Sequence, residues 1–219
     1  SDIACHCEVL AAVPSTNAAL LKIAAEAPNA FTLVAESQTG GRGRRGRVWH
    51  SPLAQNLYVS TLLHINEGAA VLQGLSLVVG ISVAETLNKY YGAGVSLKWP
   101  NDLLVERKKL GGILVELQGD ITDECSAVIG FGLNINMPDA GETIDQPWVS
   151  LMQLKGQAVC RNTLLVELLV ALHEDLSLLS KQGWLAFTKR WEALDAFVGE
   201  QVTVAQSAGV IEGEYIGVD

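Results

Sequence analysis

The stretch from Val95 to Gln118, VSLKWPNDLLVERKKLGGILVELQ, settles the fold class of this 219-residue chain. It divides into apolar, β-branched segments at Val95–Trp99, Leu103–Glu106 and Ile113–Gln118, separated by turn chemistry at Pro100-Asn101-Asp102 and Gly111-Gly112. A fourth such segment, Ser126–Asn136, follows after a polar break. Four strands in succession with no helix between them predict an antiparallel or mixed sheet, since parallel neighbours need long crossovers.

Upstream, Phe31–Glu36 reads as a short strand and Asn56–Ile65 as a longer one, with Leu57, Val59, Thr61 and Leu63 alternating against Tyr58, Ser60 and Leu62. Ser15-Thr16-Asn17 stands before the Ala- and Leu-rich run Ala18–Ala27, where any of the three side chains would cap a helix. Leu72, Leu75, Val79, Val83 and Leu87 recur at helical spacing and predict one amphipathic helix ending at Tyr91-Gly92. Downstream, 139–157 reads as loop. Asn162 is the expected cap of a helix striped by Leu165, Leu168, Leu169, Leu172, Leu176 and Leu179, which closes near Gly183. Trp184–Leu194 supports a further short helix, and beyond Val198 the pattern turns to short strands. The expected architecture is α+β: a mixed, largely antiparallel central sheet flanked by helices over 1–196, with the start of a small β module over 197–219.

A hydrophobic fraction of 49% spread in short periodic segments fits a soluble globular domain, with no run long enough to span a bilayer and no signal-peptide pattern at Ser1-Asp2-Ile3, so a cytoplasmic protein without membrane contact is expected. The net charge of −9 sets the surface against polyanions. Against that background, GGRGRRGRVW from Gly40 to Trp49 concentrates Arg42, Arg44, Arg45 and Arg47 on a glycine-hinged loop. Like charges so close repel one another, so the loop is either a solvated run or a site for an anion that orders it. Its place between two strands favours the site. A second cationic group, Lys98, Arg107, Lys108 and Lys109, lies in the strand block. Two local basic patches on an acidic body suit a small anionic ligand.

Cys5, His6 and Cys7 invite a zinc reading, but alternate residues of an extended segment point to opposite faces and no second ligand pair accompanies them, so the cysteines are read as incidental. Ser15-Thr16-Asn17 would present hydroxyls, an amide and backbone N–H groups to a polar head group, or simply cap a helix. Lys98-Trp99-Pro100-Asn101-Asp102 ends a strand in a tight turn that offers a cation, an amide and a carboxylate together, unless Asn101 and Asp102 only stabilise that turn.

In combination these blocks resemble the biotin protein ligases. They are Ser15-Thr16-Asn17; Gln38 with Gly41-Arg42-Gly43-Arg44-Arg45-Gly46-Arg47 and Trp49; Ser51-Pro52 and Asn56-Leu57-Tyr58; Lys98-Trp99-Pro100-Asn101-Asp102; Lys109-Leu110-Gly111-Gly112-Ile113-Leu114-Val115-Glu116; and Gly130-Phe131-Gly132-Leu133-Asn134-Ile135-Asn136. They stand in the family's order across residues 9–205.

The resemblance implies a class II synthetase-like fold with an SH3-like β module at the C-terminal end, and activation of biotin by ATP to biotinyl-5′-AMP with release of pyrophosphate. Transfer to a lysine of the biotin carboxyl carrier protein of acetyl-CoA carboxylase, or of a related carboxylase, would follow. Biotin binding falls to Ser15, Thr16, Asn17, Gln38, Gly41, Arg42, Gly43, Arg44, Lys109, Gly112 and Gly132. ATP binding falls to Arg44, Arg45, Trp49, Lys98, Asn101 and Asn134. Arg42, Lys98, Lys109 and Asp102 carry the chemistry, with Asp102 the contact for Mg²⁺ or for the acceptor lysine. Bringing a carboxylate onto the α-phosphorus of ATP requires cations. Deprotonating an exposed acceptor lysine at pH 7 costs about 4 to 5 kcal/mol, which a nearby carboxylate offsets.

The ligase-like blocks begin within the first twenty residues, so the monofunctional type without an N-terminal DNA-binding domain is expected and DNA contact is not. An exposed strand of the central sheet would allow a homodimer. Two other readings stay open at this level: a lipoate or octanoyl ligase, which shares the fold but typically lacks the GRGRRG loop, and an anion- or nucleic-acid-binding module without chemistry.

Overall fold

The computed structural model describes residues 6–66, 73–120, 122–138, 144–206 and 209–218. Cys5, Leu72, residues 139–143 of the segment read as loop and Ser1-Asp2-Ile3 lie outside them. Within this set the chain forms strands β1 (Cys7–Leu10), β2 (Thr32–Ala35), β3 (Leu57–Ile65), β4 (Ser96–Lys98), β5 (Asp102–Val105), β6 (Lys108–Gly119), β7 (Cys125–Leu133), β8 (Gln201–Gln206) and β9 (Gly209–Glu214). Its α-helices are α1 (Thr16–Ile23), α2 (Leu75–Tyr91), α3 (Leu151–Lys155), α4 (Arg161–Gln182) and α5 (Thr188–Leu194).

The main sheet has seven strands in the order β1-β2-β3-β7-β6-β5-β4. Every pair in it is antiparallel except β1 with β2. That exception follows from connectivity, since α1 lies between the two strands and forms the crossover a parallel pair requires. Strand β1 escapes the sequence reading because Cys7–Leu10 is short and largely exposed. The mixed sheet is thus the one the strand block predicts, with β6 longer than expected: it starts at Lys108, upstream of the glycine pair.

The two faces of the sheet differ. Leu57 and Val59 of β3, Ala127, Ile129 and Phe131 of β7 and Ile113 of β6 point into the large core, against α2, α4 and α5. Helix α2 is buried around nearly its whole circumference, from Leu77 and Val78 to Val83 and Ala84, because the sheet lies on one side and α4 on the other. The opposite face carries a small cluster in which Leu20 and Ala24 of α1 pack on Leu62 and Val128. Helix α1 covers only that end of the face. The other end, floored by glycines, stays open.

Two local expectations are corrected. Helix α4 begins at Arg161, so its cap position is Cys160 and Asn162 lies inside the first turn. The segment read as a loop contains α3, for which Ser150 and Gln153 form a reciprocal capping box. Its five residues are too few to show a helical period. Strands β8 and β9 form a separate two-stranded sheet, tied back by the Arg107–Glu200 ion pair and by Lys98 and Arg107 over the Phe197 ring. No helix among the described residues is long and apolar enough to cross a membrane.

Candidate active site

A cleft of about 540 Å³ opens on the glycine-floored half of the sheet. Successive strand residues face opposite sides, so the registers Tyr58↔Gly132 and Ser60↔Gly130 between β3 and β7, and Gly112↔Gly132 between β6 and β7, place Tyr58, Ser60, Gly112, Gly130 and Gly132 on one surface. These glycines exist to admit other side chains. A Cβ on Gly130 would lie 2.1 Å from Asn17 Oδ1, and one on Gly132 would lie 2.6 Å from the indole of Trp49.

At one wall the start of α1 is fixed by a continuous polar chain. Ser15 is the cap, with its Oγ accepting from the Ala18 N–H. The Thr16 N–H donates to Gln38 Oε1 at 2.9 Å, and Gln38 Nε2 donates to Ser51 Oγ at 3.1 Å. Buried Ser60 lies 2.7 Å from Thr16 Oγ1 and 2.6 Å from Asn17 Oδ1. Asn17 Nδ2 donates to Leu114 O at 3.1 Å and Glu116 Oε2 at 2.9 Å. Asn17 is therefore engaged at both ends of its amide, whereas Ser15 retains a hydroxyl proton and Gln38 one amide proton for a ligand.

The opposite wall is the arginine segment, folded as a small hairpin. Arg42 bridges Val48, the Gly43 N–H donates to Arg47 O at 2.7 Å and the Trp49 N–H to Gly41 O at 2.9 Å. Arg44–Gly46 form the tip, where Arg45 takes a left-handed conformation at φ 57°. Gly41 is obligatory: a Cβ there would lie 2.5 Å from Trp49 O and 2.7 Å from Ser51 Oγ. Arg42 is held by Glu116 at 3.1 Å, while neither Arg44 nor Arg47, both lining the cleft, has an ion-pair partner among the described residues.

At the inner end, Lys109 Nζ pairs with Asp102 Oδ1 at 2.7 Å, both side chains being mostly buried, and lies 5.5 Å from the Trp49 ring centroid. The Trp49 indole N–H is buried with no hydrogen-bond partner among the described residues. Asn101 lines the cleft while clamping the turn, its Nδ2 donating to Ile113 O at 2.8 Å.

Ser15, Thr16, Asn17, Gln38, Arg42, Gly43, Arg44, Trp49, Asn101, Lys109, Gly112 and Gly132 all line this one cleft. Asp102 joins them through Lys109, and Gly41 through the base of the hairpin. Arg45 sits at the tip of the hairpin and is exposed. Lys98 is exposed outside the cleft, over Phe197. Asn134 is buried, with Nδ2 directed to the carbonyls of Lys109 and Val149, so it supports the Lys109 backbone from behind. Ser60, Asp145 and Gln146 border the cleft without being singled out by the sequence reading, which names Gly130 only within a longer block. A small hydroxyl inside a strand of large apolar residues was the available signal for Ser60. Asp145 and Gln146 carried none, because only the bridge between Lys109 and Trp148 brings their segment to the cleft.

Among the described residues no group of three His, Cys, Asp or Glu side chains is placed to hold a metal ion, and Asp102 is already held by Lys109. No all-protein cage for Mg²⁺, an ion usually bound by one or two carboxylates together with substrate phosphates, is therefore present among the described residues.

Comparison with known proteins agrees with this geometry. Residues 9–134 match the biotin/lipoate A/B protein ligase family. The bifunctional ligase/repressor BirA of Escherichia coli is 41% identical over 212 residues, a match covering 96% of this chain and 66% of that protein. The biotin--[acetyl-CoA-carboxylase] ligase of Paracoccus denitrificans is 34% identical, covering 94% of this chain and 89% of its own length. The biotin protein ligase of Aquifex aeolicus, solved in complex with biotin and ATP, superposes with a TM-score of 0.87 at 31% identity over 98% of this chain and 88% of that one. With more than half of the chain matched by the family model and a relative 34% identical over most of both lengths, this chain belongs to the biotin/lipoate A/B protein ligase family.

Proposed function

We propose that this protein activates biotin with ATP to biotinyl-5′-AMP, releasing pyrophosphate, and transfers the biotinyl group to a lysine of a biotin carboxyl carrier domain. The observation that carries this reading is the convergence, in one cleft, of a polar helix start with two unspent donors, an arginine hairpin and the Lys109–Trp49 pair. A neutral, hydrogen-bonding ring suits the Ser15 and Gln38 wall, and the glycine floor leaves flat space beside it. A carboxylate extending from that ring would meet Lys109 and the hairpin cations.

Arg44 and Arg47 have no ion-pair partner among the described residues, so they are the groups we assign to phosphate oxygens. Lys109 is assigned to the reacting carboxylate and α-phosphate, where its charge counters the negative charge that builds up as the two anions approach. Asp102, paired with Lys109, sets the position of that ammonium. Trp49, stacked over Gly112 and Gly132, keeps one side of the cleft dry and would offer its buried N–H to ligand. No step is assigned to a protein-held metal.

The arginine cluster is assigned to this cleft and not to a nucleic acid, because Arg42, Arg44 and Arg47 line it together with Trp49. Family membership covers both biotin and lipoate ligases, so the choice of substrate rests on the GRGRRG hairpin and on the relatives named for biotin. Pyrophosphate exchange into ATP decides it: the expected result is exchange that requires biotin and is not supported by lipoate or octanoate. Exchange with lipoate in place of biotin would overturn the proposal.

A further inference from the structure

Glu116 has no part in the chemistry proposed above, yet it ties two separate walls of the cleft together. It lies on β6 on the pleat face of Gly112 and Leu114, two residues beyond the carbonyl that Asn17 already uses. Its Oε2 accepts from Asn17 Nδ2 at 2.9 Å and from Arg42 Nη2 at 3.1 Å. The Asn17 contact holds the first turn of α1, and through Ser60 the same turn reaches Thr16 and Gln38. The Arg42 contact lies at the base of the hairpin, where Arg42 bridges Val48 and Gly41 bonds to Trp49. Arg44, Arg45 and Arg47 project beyond that base.

The guanidinium of Arg42 is paired to the Glu116 carboxylate, and that pairing removes it from the charge offered to an anion while fixing the backbone that carries its neighbours. Side-chain exposures of 46% for Arg42 and 26% for Glu116 make the contact easy to open.

We infer that Glu116 is a positioning residue: its carboxylate anchors the base of the arginine hairpin to the floor of the cleft and thereby sets the affinity for the carboxylate-bearing substrate. The affinity half of this inference rests on the biotin reading, whereas the anchoring half does not. Glu116→Gln preserves an acceptor for Asn17 and removes the charge that Arg42 needs, and Arg42→Met breaks the same contact from its exposed side.

The experiment measures two things on the full chain. In the first arm, the ligand-free protein is digested briefly with trypsin and cleavage after Arg44, Arg45 and Arg47 is followed by mass spectrometry. Each single variant is expected to speed this cleavage roughly two- to fivefold, the range for a half-exposed ion pair, and the double variant no further. In the second arm, biotin-dependent pyrophosphate exchange by Glu116→Gln is expected to show a similar rise in KM for biotin with kcat and the KM for ATP unchanged, while Arg42→Met is read by proteolysis alone. A merely structural role would shift all three or none. Unchanged cleavage in both single variants, effects that add in the double variant, or a biotin KM that does not move would overturn the inference. Absence of any biotin-dependent exchange in the parent protein would instead sink the proposed function, and the proteolysis arm would still test the anchor.

Discussion

The glycines of the floor are the most exacting residues of the cleft. Gly130 and Gly132 are ordinary strand positions by backbone conformation, and what forbids a side chain there is the occupant opposite: Asn17 for one and Trp49 for the other. Gly132→Ala should displace the Trp49 ring and cost about 1 to 3 kcal/mol of stability, the range for forcing extra atoms into packed space. It should also raise the biotin KM and alter the indole fluorescence, and a variant with parental unfolding midpoint and spectrum would show that the ring has room to move. Lys109 and Asp102 form the other exacting pair. Lys109→Met leaves a mostly buried carboxylate without its cation, so exchange activity should fall at least a hundredfold, as is typical when a preorganised charge is removed from a reaction centre. Asp102→Asn should fall less, because the ammonium remains; equal losses would show that Asp102 acts directly.

Among the elements, α4 illustrates how a helix terminus acquires chemistry of its own. Cys160 occupies the cap position and receives the Thr163 hydroxyl at 3.3 Å, which holds its thiol below the usual cysteine range. Brief iodoacetamide treatment at neutral pH should therefore label Cys160 ahead of buried Cys125, and Thr163→Val should slow that labelling; equal labelling of the two thiols would contradict the exposure difference. The helix is locked in place by Arg190 of α5, whose guanidinium bonds Asp175 of α4 at 2.7 and 2.8 Å and Glu85 of α2 at 2.7 and 3.0 Å. Those hydrogen bonds to Asp175 and Glu85 hold the guanidinium protonated far above its already high ordinary range. Arg190→Met strands Asp175, which is 8% exposed, and should destabilise the protein by about 2 to 3 kcal/mol, short of the roughly 3 to 5 for a fully buried pair because Glu85 reaches water. Chemical denaturation reads this directly, and no change in midpoint would mean that solvent replaces the contact.

For the molecule as a whole, the sheet is insulated on one face by three helices and left half open on the other, so ligand binding adds contacts to the native state that the unfolded chain lacks. Biotin at a hundredfold excess over its Kd should raise unfolding free energy by about 2.7 kcal/mol, and lipoate at the same concentration should not. What the sequence by itself determined was local and periodic. Alternating apolar residues marked β2 to β7, helical spacing marked α2 and α4, and the arginine run stood out as a local concentration of charge, because each of these signals is complete within one short stretch of sequence. The parallel strand β1 was too short and too exposed to carry a period, and α3 too brief. Only the tertiary structure decided which cations meet carboxylates, setting Arg42 on Glu116 and Lys109 on Asp102, leaving Arg44 and Arg47 without an ion-pair partner among the described residues and turning Lys98 away towards Phe197. The physical reason is that charge pairing depends on distances of a few ångströms between residues far apart in sequence, seventy-four positions for Arg42 and Glu116, and strand register across the sheet, not composition, fixes those distances.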